Sequence, residues 1–329
     1  MKAKLVPIYF QSAQDPDFII QLDYLKKLLI DEAEILEPVA LGQKIPDSDG
    51  VIFPQMLGDA YRRLEEIKKL PQPLMVVTSE FGTVSMWDWE INSYLATKGV
   101  QVIAPNTLEK TKLACRAFAL KRQLHEFKFL VYQDNPASGG GNQDEIFKRF
   151  YWWEDECSDA IDNQFGLKII KRSFKKLAEE ARDIPDTDAQ EVWDAKKKNT
   201  PIGNLSKKAI LDAVKLYMMV KKDLDANPDI VAAGMNCLNE SHFCETTPCL
   251  AWNFLYEDEH LIWGCEGDTV SMLTKVLISK TLGVPFMMTN MYPFLMGQAA
   301  TKHEHIPGFP SVTGKPENHI LAAHCGYFG

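Results

Sequence analysis

The sequence lacks any apolar run that approaches the roughly 20 residues needed to cross a bilayer, which excludes a membrane-spanning helix. Its N-terminus, Met1-Lys2-Ala3-Lys4 followed by one short apolar stretch, has no small-residue cleavage site, so no signal peptide is predicted. Positive charge is also in deficit: 36 Lys and Arg stand against 45 Asp and Glu, a net charge of −9. This balance argues against nucleic acid or an anionic membrane as a partner, because both would repel the protein.

Cysteine is scarce, and the seven that are present form an odd set without a secretory signal. A disulfide framework is therefore not predicted, and a cytoplasmic location is expected. Cys244 and Cys249 are close in sequence, but no second cysteine pair and no His-x-x-x-His spacing accompanies them to complete a zinc site. Most of the cysteines are predicted to be small buried apolar residues.

Strand and helix patterns alternate along the 329 residues. Short apolar runs that are typical of buried strands are separated by amphipathic segments, beginning with a strand at Lys4–Phe10 and a helix at Pro16–Ile30. This alternation predicts parallel strands with right-handed helical crossovers, the doubly wound α/β class. We expect two such domains, a flavodoxin-like domain over residues 1–124 and a second α/β domain over residues 125–329. Further predicted elements include strands at Glu34–Ala40 and Pro285–Met288, and helices at Leu57–Leu70 and from about Asp144 to Phe165.

Polar side chains follow four apolar runs in the last third of the chain, where each run is predicted to end as a strand. Asn236-Cys237 follows Ile230–Met235, Cys265–Asp268 follows Leu261–Gly264, Thr289-Asn290 follows Pro285–Met288, and His324-Cys325 follows Ile320–Ala323. Because the carboxyl ends of neighbouring parallel strands meet at one crevice, these side chains are expected to lie together. The pattern predicts a functional site at that edge.

Two acidic residues in this group have different expected roles. Asp268 precedes a helical stripe and is well placed to cap that helix. Glu266 has no such duty, and a carboxylate just above a buried sheet is typical of a functional group. With the imidazole of His324, it would offer two of the ligands that Mn²⁺ or Mg²⁺ accepts.

Three segments together resemble the L-fucose isomerase / L-arabinose isomerase superfamily: Cys265-Glu266-Gly267-Asp268, Phe286-Met287-Met288-Thr289-Asn290 and Leu321-Ala322-Ala323-His324-Cys325. The resemblance covers roughly residues 230–329. Members of that superfamily are metal-dependent aldose–ketose isomerases with two α/β domains and a C-terminal β-rich domain. The resemblance implies a small sugar as substrate, a pentose or deoxyhexose that reacts through a cis-enediol, and assembly as a homo-oligomer.

The resemblance also implies roles for individual residues. Glu266 matches the first metal-binding carboxylate, which also acts as an acid/base, and His324 matches a histidine that faces the metal or the sugar. Asn290 stands where the family has a second acidic ligand; its amide oxygen can still bind the implied Mn²⁺ or Mg²⁺, but it cannot take a proton. Asp268 is the candidate second acid/base. Because Asn290 replaces the family's second metal-binding carboxylate and the family's C-terminal domain is expected to be missing, weak or altered isomerase activity is expected.

Further substrate contacts are expected from Asn236, Thr289 and Cys325, and from Glu80 at the end of a strand in the first domain. Two other functions stay open. One is a sugar-binding relative without catalysis, which the lost carboxylate favours. The other is an α/β protein that binds an anionic metabolite through the loop at residues 134–143. The aromatic run Tyr151–Trp153 fits either an interface or a core position.

Overall fold

The computed structural model describes residues 2–56, 58–134, 151–200, 203, 205–237, 240, 243–286, 288–303 and 311–323, with the side chains of 300–303 and 323 left outside the description. Over these residues the chain is an α/β protein with parallel sheets, which confirms the predicted fold class. The chain divides into two compact units. The first consists of Met1–Phe127, Ile161–Leu167 and Lys280–Gly283, and the second consists of the remainder. No helix in the described ranges is long and apolar enough to cross a membrane.

The first unit is built on a parallel sheet with the strand order β2-β1-β4-β5-β6, and β3 pairs with the end of β1. Its strands are β1 Ala3–Tyr9, β2 Ala33–Ile35, β3 Val39–Ala40, β4 Gly50–Phe53, β5 Leu74–Val76 and β6 Val102–Ile103. Its α-helices are Pro16–Leu28, Asp59–Arg62, Leu64–Ile67, Trp89–Thr97 and Leu108–Gln123, with 3-10 helices at Met86–Asp88 and Leu124–Glu126.

Helices cover both faces of this sheet. Phe53 packs in one buried cluster with Leu95, whereas its neighbour Ile52 packs in another with Leu25 and Phe118. Successive side chains of a strand point to opposite faces, so each face has its own core. Burial on both faces explains why β4 and β5 are apolar throughout.

The second unit is built on a four-stranded parallel sheet with the order β10-β9-β7-β8. Its strands are β7 Lys128–Tyr132, β8 Lys168–Arg172, β9 Ile230–Met235 and β10 Ile262–Gly264. The α-helices after β7 are Asp155–Phe165, Phe174–Arg182, Asp186–Lys196, Lys207–Ala226, Cys249–Glu259, Thr269–Leu282 and Phe294–His303. The 3-10 helices are Tyr151–Trp153, Lys197–Asn199, Cys265–Gly267 and Pro316–Asn318.

One face of this sheet is closed by a large apolar cluster. Tyr132 and Met235 project from the strands into it, and Phe174, Val220 and Leu255 reach it from the helices. The helix Lys207–Ala226 contributes most because its apolar residues recur at helical spacing and are buried along its length. This packing holds the carboxyl ends of β7, β9 and β10 in fixed positions.

Three predicted elements differ in detail from the structure. The strand predicted at Glu34–Ala40 is two short strands, β2 and β3, because Pro38 between them has no N–H to donate to the ladder. The helix predicted at Leu57–Leu70 is broken into two four-residue helices at Arg63. The helix that ends at Phe165 begins at Asp155, and residues 135–150 lie outside the described residues.

The prediction of a strand at Pro285–Met288 is wrong. The strand in this region is β11, Asn290–Pro293, and it pairs antiparallel with β12, Ile320–Ala323. These two strands form a sheet of their own and are not members of the four-stranded parallel sheet. Pro285 and Phe286 are exposed, so this apolar run has no core to pack against. The expected convergence of four parallel strands therefore reduces to β9 and β10.

The helix Thr269–Leu282 approaches β10 so closely at Gly264 that a side chain has no room there. A Cβ at this position would lie 2.5 Å from Met272 Cγ and 3.0 Å from the carbonyl oxygen of Asp268. The missing side chain of Gly264 therefore lets the helix begin directly above the sheet.

Gly264→Ala is expected to lower the free energy of unfolding by about 1–3 kcal/mol, because the added methyl group forces the helix away from the strand. Urea denaturation measures this loss. Gly58→Ala is the matched control, since no atom lies within 4 Å of a Cβ built there. Equal effects of the two substitutions would contradict the close approach.

Candidate functional site

Polar residues from three strand ends meet at the carboxyl edge of the second sheet. The backbone N–H of Asn236, just after β9, donates to the carbonyl oxygen of Tyr132 at the end of β7, over 3.0 Å. The turn after β10 lies against the same place, since a Cβ on Gly267 would be 3.7 Å from the backbone nitrogen of Asn236. Two of the four predicted polar segments, those at 236–237 and 265–268, are thus brought together as expected.

The turn Cys265–Gly267 holds Glu266 in an uncommon backbone conformation. Glu266 has φ 58° and ψ 14°, in the left-handed region that residues other than glycine rarely adopt. The fully buried Trp153 stabilises it, because its indole Nε1 donates to the carbonyl oxygen of Glu266 over 2.6 Å. Trp153 is therefore a core residue that supports the turn, one of the two roles considered for the aromatic run. Strain of this kind persists where surrounding contacts impose it, and it is concentrated at functional sites.

The carboxylate of Glu266 is half-buried, and among the described residues no group donates a hydrogen bond to it. Burial, and then the nearby charge of Asp268, raise the pKa of Glu266. A carboxyl group whose pKa is raised by desolvation is typical of general acids and bases. Glu266 is the described residue best suited to exchange protons with a ligand.

Asp268 is the N-cap of the helix Thr269–Leu282. Its Oδ1 accepts from the backbone N–H of Ser271 over 2.8 Å, and its Oδ2 accepts from Ser271 Oγ over 2.7 Å. This confirms the capping role that the sequence indicated. Both carboxylate oxygens are therefore engaged, and Asp268 acts on Glu266 mainly through its charge.

Two cysteines flank the same turn. Cys237 Sγ and Cys265 Sγ are 3.8 Å apart. A hydrogen bond from Cys265 lowers the pKa of Cys237, desolvation opposes this, and the backbone N–H of Glu266 lowers it further. Behind them, burial lowers the pKa of Lys275 to about 8, and the Cys265 side chain partly offsets this. Lys275 Nζ donates to the carbonyl oxygen of Trp263 over 2.6 Å.

Glu240 is a member of this edge that sequence reasoning missed. It is 1% exposed, and its two carboxylate oxygens accept from the backbone N–H of Asp134 over 3.0 and 3.2 Å. Asp134 in turn accepts from Ser173 Oγ and from the backbone N–H of Lys175 at the start of the next helix. Glu240 lies in a polar stretch of sequence, and no pattern there indicates that it is buried.

The other predicted site residues are placed as follows. Asn236 is fully buried at the edge, so neither its side chain nor its backbone is exposed to a ligand. Thr289 and Asn290 are exposed at the start of β11. Glu80 is exposed on a turn of the first unit. His324, Cys325 and the loop at 135–143 lie outside the described residues.

The described residues do not form a complete site for Mn²⁺ or Mg²⁺. Among them, no group of three or more His, Cys, Asp or Glu side chains is arranged to hold a metal ion. Of the acidic groups at the edge, Asp268 and Glu240 accept hydrogen bonds from the protein. Asn290 belongs to the separate antiparallel sheet, so the prediction that it completes a metal site with Glu266 is not supported by the strand order.

No family model and no curated protein matches this chain. The likeness to the fucose and arabinose isomerases therefore stays a prediction from three short motifs. One of them, at 265–268, forms a structured turn at the sheet edge.

Asp268→Ala is expected to lower the free energy of unfolding by about 0.5–2 kcal/mol, because the N-cap hydrogen bonds are lost. Asp268→Asn keeps an oxygen that can accept from Ser271 and should lose much less. Urea denaturation of both variants separates the cap from the charge. Equal losses would show that the charge of Asp268, not the cap, stabilises the helix.

Glu266→Gln is expected to raise the free energy of unfolding at about pH 7 while leaving it unchanged near about pH 4. The folded-state pKa of Glu266 is raised, so its contribution to stability is present below the unfolded pKa and is lost as pH rises through the folded pKa. Glutamine is neutral at both pH values and avoids that loss. The exposed Glu257 provides the control, since Glu257→Gln makes the same chemical change at a carboxylate that is not buried. If Glu266→Gln instead lowered the free energy of unfolding below that of the wild type at about pH 7, the predicted direction of the pKa shift would be contradicted.

Proposed function

We propose that this protein is an isomerase that interconverts the aldose and ketose forms of a small sugar by moving a proton between two neighbouring carbons of that sugar. The observation that supports it best is the half-buried Glu266 carboxylate at the carboxyl edge of a parallel sheet. Ligands of open α/β sheets bind in the crevice at that edge. The substrate class comes from the motif resemblance, and the proton transfer comes from the chemistry of Glu266.

In this proposal Glu266 acts as the base that takes a proton from the carbon next to the carbonyl group. Loss of that proton gives a cis-enediolate, and a proton then passes from the hydroxyl oxygen on C2 to the oxygen on C1. The same carboxyl group finally returns its proton to C1, and the carbonyl group of the ketose forms at C2. A group whose pKa is raised towards the working pH both accepts and returns a proton readily. Desolvation provides that shift for Glu266, and the charge of Asp268 adds to it.

The left-handed turn determines where this carboxylate is placed. Trp153 fixes the carbonyl oxygen of Glu266 from below the turn, and Asp268 fixes the start of the next helix two residues later. A base that is held in this way needs little reorganisation when a substrate arrives. The resemblance implies Mn²⁺ or Mg²⁺, which would polarise the carbonyl group of the sugar when bound; the described residues alone do not complete a set of ligands for such an ion.

Binding of a sugar without catalysis is the second candidate. It is favoured by the engagement of Asp268 in capping, which removes the residue that would act as a second acid/base. Binding and turnover can be measured separately. A sugar that binds to the wild-type protein without being converted would favour this candidate over the isomerase.

Glu266→Gln is expected to reduce ketose formation about 10²–10⁴-fold, the usual contribution of one general acid/base, while the affinity for the sugar changes little. A screen of pentoses and deoxyhexoses, with and without added Mn²⁺, identifies the substrate. Glu257→Gln, on the exposed face of the helix Cys249–Glu259, is the matched control and should keep full activity. Unchanged turnover of the Glu266 variant would remove Glu266 from the mechanism.

A further inference from the structure

Cys237 and Cys265 follow two neighbouring strands, and their sulfur atoms lie nearly in contact. Strands β9 and β10 pair in parallel up to Gly234 and Gly264. Cys265 comes directly after the last pair, and Cys237 lies two residues after β9, so both belong to turns beyond the ladder. Their sulfur atoms are 3.8 Å apart, and 28 residues of sequence separate the two positions.

We propose that Cys237 and Cys265 are a reactive dithiol that closes to an intramolecular disulfide when the protein meets a hydroperoxide. A disulfide needs the sulfur atoms at about 2.05 Å, so each must move by less than about 1 Å from its present position. Because both cysteines lie in turns, rotation of their side chains can make that movement without disturbing the paired backbone of β9 and β10. The proposal does not depend on the function proposed above.

The surroundings assign the two sulfur atoms different parts in the reaction. Cys237 is half-buried and therefore within reach of a small oxidant, whereas Cys265 is 6% exposed. The thiolate is the nucleophile in such reactions, and the more exposed of the two sulfur atoms is the one that a dissolved oxidant reaches first. Cys237 is thus the attacking residue and Cys265 the resolving one.

The reaction balances in two steps. The Cys237 thiolate attacks one oxygen of hydrogen peroxide, the O–O bond breaks, and with one proton taken up a sulfenic acid and water are formed. The Cys265 thiol then attacks the sulfenic sulfur, an S–S bond forms, and a second water leaves. The two thiols together lose two electrons and two hydrogens, and the peroxide is reduced to two molecules of water.

The other described cysteines serve as internal controls. Cys115 and Cys157 are buried, and burial raises the pKa of both thiols. Burial also raises the pKa of Cys244, while Cys249 is exposed. Exposure alone would make Cys249 the first residue to be oxidised. Preferential oxidation of the 237–265 pair would therefore reflect its geometry.

The experiment treats the wild-type protein with hydrogen peroxide, blocks the remaining thiols with N-ethylmaleimide, and digests it without reduction. Trypsin is unsuitable because the sequence has no Lys or Arg between positions 223 and 274. A protease that cleaves after glutamate separates the four nearby cysteines, since Glu240, Glu245 and Glu259 lie between them. Mass spectrometry should find the peptides of Cys237 and Cys265 joined, lighter by two hydrogens than their sum, and separated again by dithiothreitol.

Two variants identify the order of attack. In Cys265→Ser, Cys237 should accumulate as a sulfenic acid that dimedone traps; in Cys237→Ser, trapping at Cys265 should fall at least about tenfold. Cys249→Ser is the matched control and should form the same linked peptide as wild type. The proposal is overturned if peroxide oxidises Cys249 while Cys237 and Cys265 stay separate, or if either joins another cysteine instead. The wild-type digest decides this even if a variant does not fold.

Discussion

The turn after β10 and the indole of Trp153 are joined by one hydrogen bond on which the candidate site depends. The bond has a donor that is entirely buried and an acceptor, the Glu266 carbonyl oxygen, that is turned inwards by a left-handed backbone. A buried indole N–H without a partner would be costly, and so would an unsupported left-handed glutamate. Each therefore stabilises the other. The carboxylate and the Cys265 thiol are positioned as a result.

Close packing below the turn adds a second constraint. Gly264 lets the helix Thr269–Leu282 begin directly over the sheet. Gly267 has φ 67°, and a Cβ built on it would lie 3.2 Å from a methyl group of Val131. Asp268 caps the helix in the remaining space. Gly264, Gly267 and Asp268 thus have separate structural duties, and Glu266 is the member of the turn whose side chain has none among the described residues. The lack of a structural role for its side chain supports the proposal that Glu266 transfers protons.

Much of the second sheet and part of the site could be predicted from the sequence. Strand β9 matches its predicted bounds because a strand buried on both faces is an uninterrupted apolar run. The meeting of Cys237 with Cys265 follows from the same reasoning, since parallel neighbours end at one edge. The capping role of Asp268 was also visible, because an acidic residue before an apolar helical stripe is a strong local signal.

The rest depends on contacts between distant residues. Strand β11 is exposed and contains Asn290 and Pro293, so it has no apolar periodicity, and it becomes a strand by pairing with β12 some thirty residues later. Glu240 is buried because the backbone N–H of Asp134, more than a hundred residues earlier, lies opposite its carboxylate. Local patterns contain no information about such partners. The left-handed conformation of Glu266 belongs to the same class, since Trp153 imposes it.

Lys275 has a consequence for alkaline solution. The ammonium group is 3% exposed, and burial lowers its pKa to about 8, well below the value of an exposed lysine in the unfolded chain. Between that pH and about 10.4 the unfolded chain holds a proton that the folded protein has released. The fold therefore gains stability as the solution becomes more basic across this interval, and it loses that gain as pH falls through 8. At neutral pH Lys275 is buried as a charged ammonium group near Cys265, and its desolvation lowers the free energy of unfolding.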